Sequence, residues 1–354
     1  MFNTSISRFG FPCKYLHPDQ SLSKKDLESI QRPYNTRQTT VAWLNRQTQD
    51  VAEQRLWDLM QHNIRAFTNL IDYVGNLEPN LRMLRLGSDC LPVYTEATWR
   101  YFWQLPDVRR YWESELAKTG ELARQLDVRL SMHPGPFCVL ASDNPSVVER
   151  SIEEFEYHAD IIRSMGFGRE FQDMKCNVHI SGRKGPQGIR DQMQRLSPEA
   201  RNSITIENSE QTWGLDASLE LVDDVPLVID IHHHYIMTGE YIHPRDDRFK
   251  RVLDSWRGVR PTIHYSVSRE DLITENSAYE LPNLQELLEQ GYKKQKLRAH
   301  SDYMWNTACN AWAAEFSPYA DIMVEARSKN VAARQTYEAW KTAHINTTEV
   351  LHEQ

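Results

Sequence analysis

Short apolar segments, many of them β-branched, recur along the chain. They alternate with longer stretches in which hydrophobic positions return every three or four residues. The short segments are 6–11 (ISRFGF), 82–87 (RMLRLG), 128–132 (VRLSM), 175–180 (KCNVHI), 203–207 (SITIE), 227–231 (LVIDI), 261–265 (PTIHY) and 320–324 (ADIMV). Apolar runs of this length, bounded by turn-forming residues, predict buried strands. The longer periodic stretches predict helices near 39–74, 107–126, 145–165, 245–257, 307–315 and 330–343. In the clearest, PSVVERSIEEFEYHADIIRSM, Asn144 is placed as a cap, Pro145 opens the first turn and Gly166 stops the helix. Eight strands interleaved with helices predict an α/β fold, the (β/α)8 TIM barrel. A doubly wound open sheet is the main competitor, but no GxGxxG follows an early strand. The barrel is expected to occupy 1–344 as a single domain, with 345–354 a short C-terminal extension.

Composition narrows the setting. The 354 residues are 40% hydrophobic and 25% charged, so a large core is within reach. There is no run of eighteen apolar residues, and no membrane span is expected. The N-terminus lacks the basic and apolar regions of a signal peptide, so secretion is not expected. Five scattered cysteines never form a CxxC pair, which fits a reducing compartment: the cytoplasm, or that of a host cell. The net charge of −8 disfavours nonspecific nucleic-acid binding over the whole surface but leaves room for local basic tracks. A monomer is expected.

The barrel gives the polar residues their meaning, because catalytic groups in such folds gather at the C-terminal ends of strands. His133 follows the third strand, His179 ends the fourth and Glu207 ends the fifth. Asp230 and His233 end the sixth, and His264 lies in the seventh. Glu325 follows the eighth, and His300 lies in the late segment RAHSDY. Each alone reads as a satisfied core histidine or a solvated carboxylate. Together they would converge on one mouth of the barrel and repel or desolvate one another unless cations sat between them. Mixed nitrogen and oxygen donors suit two or three Zn2+, Mn2+ or Fe2+ ions. LVIDIHHHYI (227–236) reads as one corner of that site. Strand alternation would put Asp230 on the side of His232 and His234, whereas a strand ending there can turn His233 inward.

Two basic loops lie beside these residues. SGRKGPQGIR (181–190) supplies Arg183, Lys184 and Arg190, and GYKKQKLRAH (291–300) supplies Lys293, Lys294, Lys296 and Arg298. At the barrel mouth they would neutralise phosphates and make binding salt-dependent; the plain alternative is a pair of solvated loops. The stretch TWRYFWQLPDVRRYW (98–112) interleaves aromatics with Arg100, Arg109 and Arg110. It reads either as an insertion packed on the barrel or as a surface for a strand of DNA.

LRLGSDCLP (84–92), MHPG (132–135), YHADIIRSMG (157–166), VHISG (178–182), IENS (206–209), DIHHH (230–234) and AHSDY (299–303) together resemble the ultraviolet damage endonucleases. The resemblance runs from GFPCKYL (10–16) to DIMVEARSKN (321–330). It implies a TIM barrel laid out like endonuclease IV, with up to three divalent ions, typically manganese. Carried over, it implies that His133, His179 and Glu207 hold one ion. Glu207, Asp230, His264 and Glu325 hold a second, and His233 and His300 a third, with His232 and His234 in supporting roles. Glu207, Asp230 and Glu325 would be the catalytic carboxylates. The implied reaction is hydrolysis of a phosphodiester 5′ to a lesion in double-stranded DNA, leaving a 3′-hydroxyl and a 5′-phosphate. A metal pair about 3.5–4 Å apart suits it, activating the nucleophile and stabilising the leaving oxygen.

The departures from the family pattern cluster at lesion recognition. After MHPG the family typically carries Gln then Tyr, a pair that probes the duplex; here stand Pro136 and Phe137. Phe137 keeps a stacking face, while Pro136 offers no side-chain hydrogen bond. Phe11 and Tyr15 replace a tyrosine and an asparagine expected near the lesion, and Thr262 stands where a lysine is common before His264. The ligand set therefore looks intact and the reading head altered, so that an abasic site, another distortion or a modified base could replace the photoproduct. Two other functions use the same features. One is a metal-dependent barrel enzyme, an isomerase or oxidase, acting on a small molecule or peptide; the other is a noncatalytic DNA-binding protein.

Overall fold

The computed structural model describes residues 6–352, side chains of 344–352 excepted. Its eight strands are β1 (Phe9–Pro12), β2 (Met83–Arg85), β3 (Arg129–Met132), β4 (Lys175–His179), β5 (Ile204–Glu207), β6 (Leu227–Val228), β7 (Thr262–Tyr265) and β8 (Asp321–Val324). They form one parallel sheet in the order β6-β5-β4-β3-β2-β1-β8-β7. The two ends meet where Asp230 bridges His264 and the His264 N–H donates to Ile229 O at 2.9 Å. This is a (β/α)8 barrel, with helices following the strands as the alternation predicts. Strands β5, β7 and β8 are buried throughout, which is why they read as continuous apolar runs.

The chain packs as two compact units. One holds Cys13–Leu77 and Leu84–Thr205; the other holds β1, Glu78–Met83 and the chain from Ile206. In the first, the helix Pro145–Ser164 starts as predicted: the Asn144 side chain accepts from Ser146 N and Pro145 opens the turn. The long helical stretch expected over 39–74 divides into Val41–Leu44 and Gln49–Gly75, because Thr40 caps the first piece and Thr48 restarts the second in extended backbone. The aromatic stretch 98–112 forms the short helix Arg100–Gln104 and the start of the helix Pro106–Gln125 between β2 and β3, and it packs inward: Trp103 and Trp112 are almost fully buried, and Arg100, Arg109 and Arg110 each pair with a carboxylate.

In the second unit, β6 is held by the helix Asp247–Ser255 and the residue after it. Ser255 Oγ accepts from Leu227 N at 3.0 Å, and the buried Trp256 indole donates to Leu227 O at 2.7 Å. Gly10 in β1 is required by close packing, since a Cβ there would lie 2.8 Å from the Met83 side chain. The extension expected from 345 shows only backbone, which continues the last helix, Lys329–His352. The rest of that expectation lies outside the described residues.

Candidate metal centre

Five ligand-type residues of the second unit converge from the C-terminal ends of four strands. Glu207 is the last residue of β5, Asp230 follows β6, His264 lies in β7 and Glu325 follows β8. His233 joins them from the first turn of the helix Ile231–Thr238. The sequence expectation of a strand over 227–231 is corrected here. The strand stops at Val228, and Asp230 becomes the helix N-cap, its Oδ1 accepting from His233 N at 2.8 Å. Helical periodicity, not strand alternation, therefore returns His233 to the face of Asp230.

The geometry is compact. His264 Nδ1 lies 3.1 Å from Glu207 Oε2 and 3.2 Å from Glu325 Oε1. His233 Nδ1 lies 3.4 Å from Glu207 Oε1, and its Nε2 lies 3.6 Å from Asp230 Oδ2. Two triads, Glu207–Asp230–His233 and Asp230–His264–Glu325, each bring their ligand atoms within 4.8 Å of one another. Glu207, Asp230 and His264 are wholly buried.

Three carboxylates in such a space are costly unless a cation joins them. Asp230 registers the cost: burial, with the nearby Glu207 and Glu325, pushes its pKa up to about 8 despite the opposing pull of His233. Burial also works against the His233 imidazolium, but Asp230, Glu207 and Glu210 outweigh it and hold its pKa up to about 9. Asp230 Oδ2 is buried and accepts no hydrogen bond among the described residues. The donor set, the spacing and this open lone pair fit a divalent cation.

The neighbouring histidines divide cleanly. His232 is buried with Nδ1 2.9 Å from Ser266 Oγ and Nε2 3.3 Å from Ser268 Oγ. His234 meets Glu240 Oε2 at 3.0 Å. Burial holds both below the usual imidazole range. These contacts tie both rings to neighbouring side chains. His300 sits 4.0 Å from Glu325 Oε2, with its ring 6.3 Å from that of His232, and belongs to neither triad above.

In the first unit, His133 and His179 face each other with ring centroids 4.9 Å apart. His133 Nδ1 lies 2.8 Å from Pro134 O, and Ser88 Oγ donates to His133 O at 3.1 Å. Behind them, the buried His158 contacts Ser88 Oγ through Nε2 at 2.9 Å, and burial pushes its pKa down to about 4. The loop after His133 turns at 135–138, with Cys138 N donating to Gly135 O at 3.0 Å. Pro136 fixes the turn, and Phe137 at its tip is 91% exposed.

The other expected DNA contacts fare differently. Phe11 is buried, and Tyr15 is buried between Tyr34 and Tyr73, at 4.8 and 5.0 Å centroid distances. Neither ring is at the surface, so their burial counts against contact with a lesion. Arg183 is exposed but pairs with Asp143 at 3.3 Å, and Lys184 precedes the helix Gly185–Met193 with an exposed side chain. Lys294 Nζ donates to Met237 O at 2.8 Å. Thr262 is buried in β7.

Sequence reasoning assigned no role to Asn208, Glu210, Ser88 or His158. Asn208 is wholly buried and grips the Asp230 backbone from both sides: Asp230 N donates to Oδ1 at 2.8 Å and Nδ2 donates to Asp230 O at 3.0 Å. Glu210 Oε2 lies 3.7 Å from His233 Nε2 while Oε1 accepts from Arg298 at 2.8 Å. Asn208, Ser88 and His158 stood within quoted motifs, and for Asn208 adjacency to Glu207 was the available signal.

Residues 20–349 match the family described as UV-endonuclease UvdE. The UV-damage endonuclease of Schizosaccharomyces pombe is 26% identical over 282 residues, which are 75% of this chain and 42% of that protein. The chain thus spans less than half the length of that relative. The UV DNA damage endonuclease of Bacillus thuringiensis subsp. konkukian is 22% identical over 297 residues, 80% of this chain and 82% of that protein. Among solved structures, SacUVDE superposes with a TM-score of 0.70 at 20% identity, covering 96% of this chain and 99% of that one, a likeness of fold. With a family match running over nearly its whole length, the chain belongs to the UV-endonuclease UvdE family.

Proposed function

We propose that this protein is a divalent-metal-dependent DNA repair endonuclease that hydrolyses the phosphodiester 5′ to a damaged nucleotide, leaving a 3′-hydroxyl and a 5′-phosphate. The observation that carries the reading is the buried cluster of Glu207, Asp230 and Glu325 with His233 and His264, inside a UvdE-family barrel. Glu207, Asp230, His264 and Glu325 would hold one ion, with Glu207 shared to a second held by His133 and His179. His233 and His300 would hold a third. Manganese is the family's usual ion, and the same donors suit Zn2+ or Fe2+. Bound ions would supply Lewis acidity for the attacking water and the leaving oxygen.

The residues' own share is orientation. The cap bond from His233 N to Asp230 Oδ1 and the Asn208 clamp on the Asp230 backbone fix Asp230 before substrate arrives, and the contact of His233 Nδ1 with Asn208 O orients that imidazole. With cations bound, the three carboxylates would stay ionised, each favoured by the neighbouring positive charge. Phe137, on a turn stiffened by Pro136, would wedge against the base stack at the lesion. Pro136 has no polar side chain with which to read a photoproduct, so recognition rests on distortion of the duplex more than on hydrogen bonding. Arg183, Lys184 and Lys294 would meet phosphates nearby. Phe11 and Tyr15 are not part of this proposal.

The test is nicking of end-labelled duplexes in Mn2+. The panel holds a cyclobutane dimer, a 6-4 photoproduct, an abasic site and an undamaged control, with Glu207→Gln alongside. We expect a metal-dependent nick 5′ to the lesion, absent in the variant. Cleavage at the abasic site alone would narrow the substrate; cleavage of no duplex would refute the reading and favour a small-molecule substrate.

A further inference from the structure

We propose that the cleft in the segment between β1 and the helix Gln49–Gly75 is a docking site for the sugar-phosphate backbone of duplex DNA, with Lys24, Arg32 and Arg37 meeting its phosphates. This rests on the endonuclease reading above and extends it to a surface well separated in sequence from the metal ligands.

The cleft has a volume of about 450 Å3 and is lined by these three cations and one carboxylate, Glu28. All three cationic side chains are exposed, and none forms an ion pair with a carboxylate among the described residues. Elsewhere in this unit Arg100, Arg109, Arg110 and Arg183 have carboxylate partners. In an acidic protein of net charge −8, unpaired arginines gathered in one concavity leave a local positive field. His62 beneath the cleft reports the same field. Burial lowers its pKa most, and Arg37, Arg32 and Arg65 lower it further against the hydrogen bond to Asn35 O.

The charges stand on an anchored backbone. Asn63, wholly buried, accepts from Arg37 N at 2.7 Å and donates to Arg37 O at 2.9 Å. Asn35 and Tyr15 exchange side-chain and backbone bonds at 2.8 and 2.9 Å, and Asn69 donates to Pro33 O at 2.9 Å. Asn63 also donates to Asp89 O at 2.7 Å. Asp89 adjoins Ser88, whose hydroxyl donates to His133 O. A short chain of hydrogen bonds thus sets Arg37 in fixed register with His133. Guanidinium groups suit phosphate oxygens geometrically, and backbone contacts of this kind set register without reading sequence.

The experiment measures duplex binding by fluorescence anisotropy across salt concentrations, for damaged and undamaged 30-mers, with the full chain in Mn2+. In Arg32→Ala/Arg37→Ala, the slope of log K against log salt should flatten by about 0.9 per lost contact, equally for both duplexes. Melting temperature should stay at the wild-type value, because the Asn63 clamp uses the Arg37 backbone alone. Glu28→Gln should tighten binding, a gain that misfolding cannot mimic. An unchanged slope, a loss confined to the damaged duplex, or full competition by inorganic phosphate at sub-millimolar concentration would overturn the proposal. Wild-type protein that nicks lesions while the double variant binds normally would sink the cleft alone. Wild-type protein that binds no duplex would sink the endonuclease reading with it.

Discussion

Asn208→Ala is the substitution whose cost can be worked most directly from the site. The side chain makes two bonds, both to the backbone of Asp230, and lies wholly out of solvent. Truncation removes both but does not orphan both partners. Asp230 O still accepts from His234 N at 3.1 Å through the helix, so its loss is partial and costs under about 1 kcal/mol. Asp230 N–H loses its Asn208 acceptor in a buried setting, a cost of about 1–3 kcal/mol. The sum, about 1–4 kcal/mol, falls on the residue that caps the helix carrying His233. The Asn208 carbonyl that meets His233 Nδ1 at 3.0 Å survives in the variant, so the imidazole keeps its orientation while Asp230 loosens. Urea unfolding in EDTA should show the loss as a lower midpoint with unchanged m-value. Mn2+ should restore less stability to the variant than to wild type, because a ligand stabilises only as much as its affinity allows. Asn208→Asp keeps the acceptor for Asp230 N but sets a carboxylate oxygen against Asp230 O, adding a fourth buried acid. It should be worse than alanine in EDTA and recover more in Mn2+. A variant within about 0.5 kcal/mol of wild type would refute the clamp. Full loss of stability with unaltered Mn2+ affinity would show that it serves the fold and not the site.

Two further outcomes follow from single residues. His158, wholly buried, has a folded pKa near 4 against an ordinary 6.5. Its contribution is complete above pH 6.5 and is lost as pH falls toward 4, about 3 kcal/mol in all. His158→Gln should flatten unfolding stability over that interval relative to wild type, and parallel pH profiles would contradict the assignment. Phe137→Ala, at a 91% exposed tip, should leave the melting temperature unmoved while reducing the ratio of nicking at lesion to undamaged duplex about tenfold or more. An unchanged ratio would remove Phe137 from lesion recognition.

What the sequence revealed, and what it hid, divides along a physical line. The clustering of strand-end His, Asp and Glu residues was legible because the barrel converts position along the chain into position in space. Once LVIDI, TIHY and DIMVE read as buried parallel strands, Asp230, His264 and Glu325 had to emerge on one rim. The identity of the inward histidine was harder. Asp230 capping its own helix, a D-x-x-H pattern, selects His233 over its neighbours, and a strand-based reading has no access to that switch. The burial of Phe11 and Tyr15 was hidden because position by resemblance carries no information about burial, and the Tyr34 and Tyr73 rings that enclose Tyr15 come from other segments. Electrostatics was least legible. SGRKG and KKQKLR look basic when read linearly, yet Arg183 is met by Asp143 and Arg298 by Glu210. Lys24, Arg32 and Arg37 look unremarkable among Asp26 and Glu28, yet only the fold gathers them around one cleft. Surface charge depends on which carboxylates the fold brings near, and a linear run of lysines does not record that. Cations without carboxylate partners are the ones free to hold a polyanion, and Lys24, Arg32 and Arg37, gathered at one cleft, lie outside both basic runs.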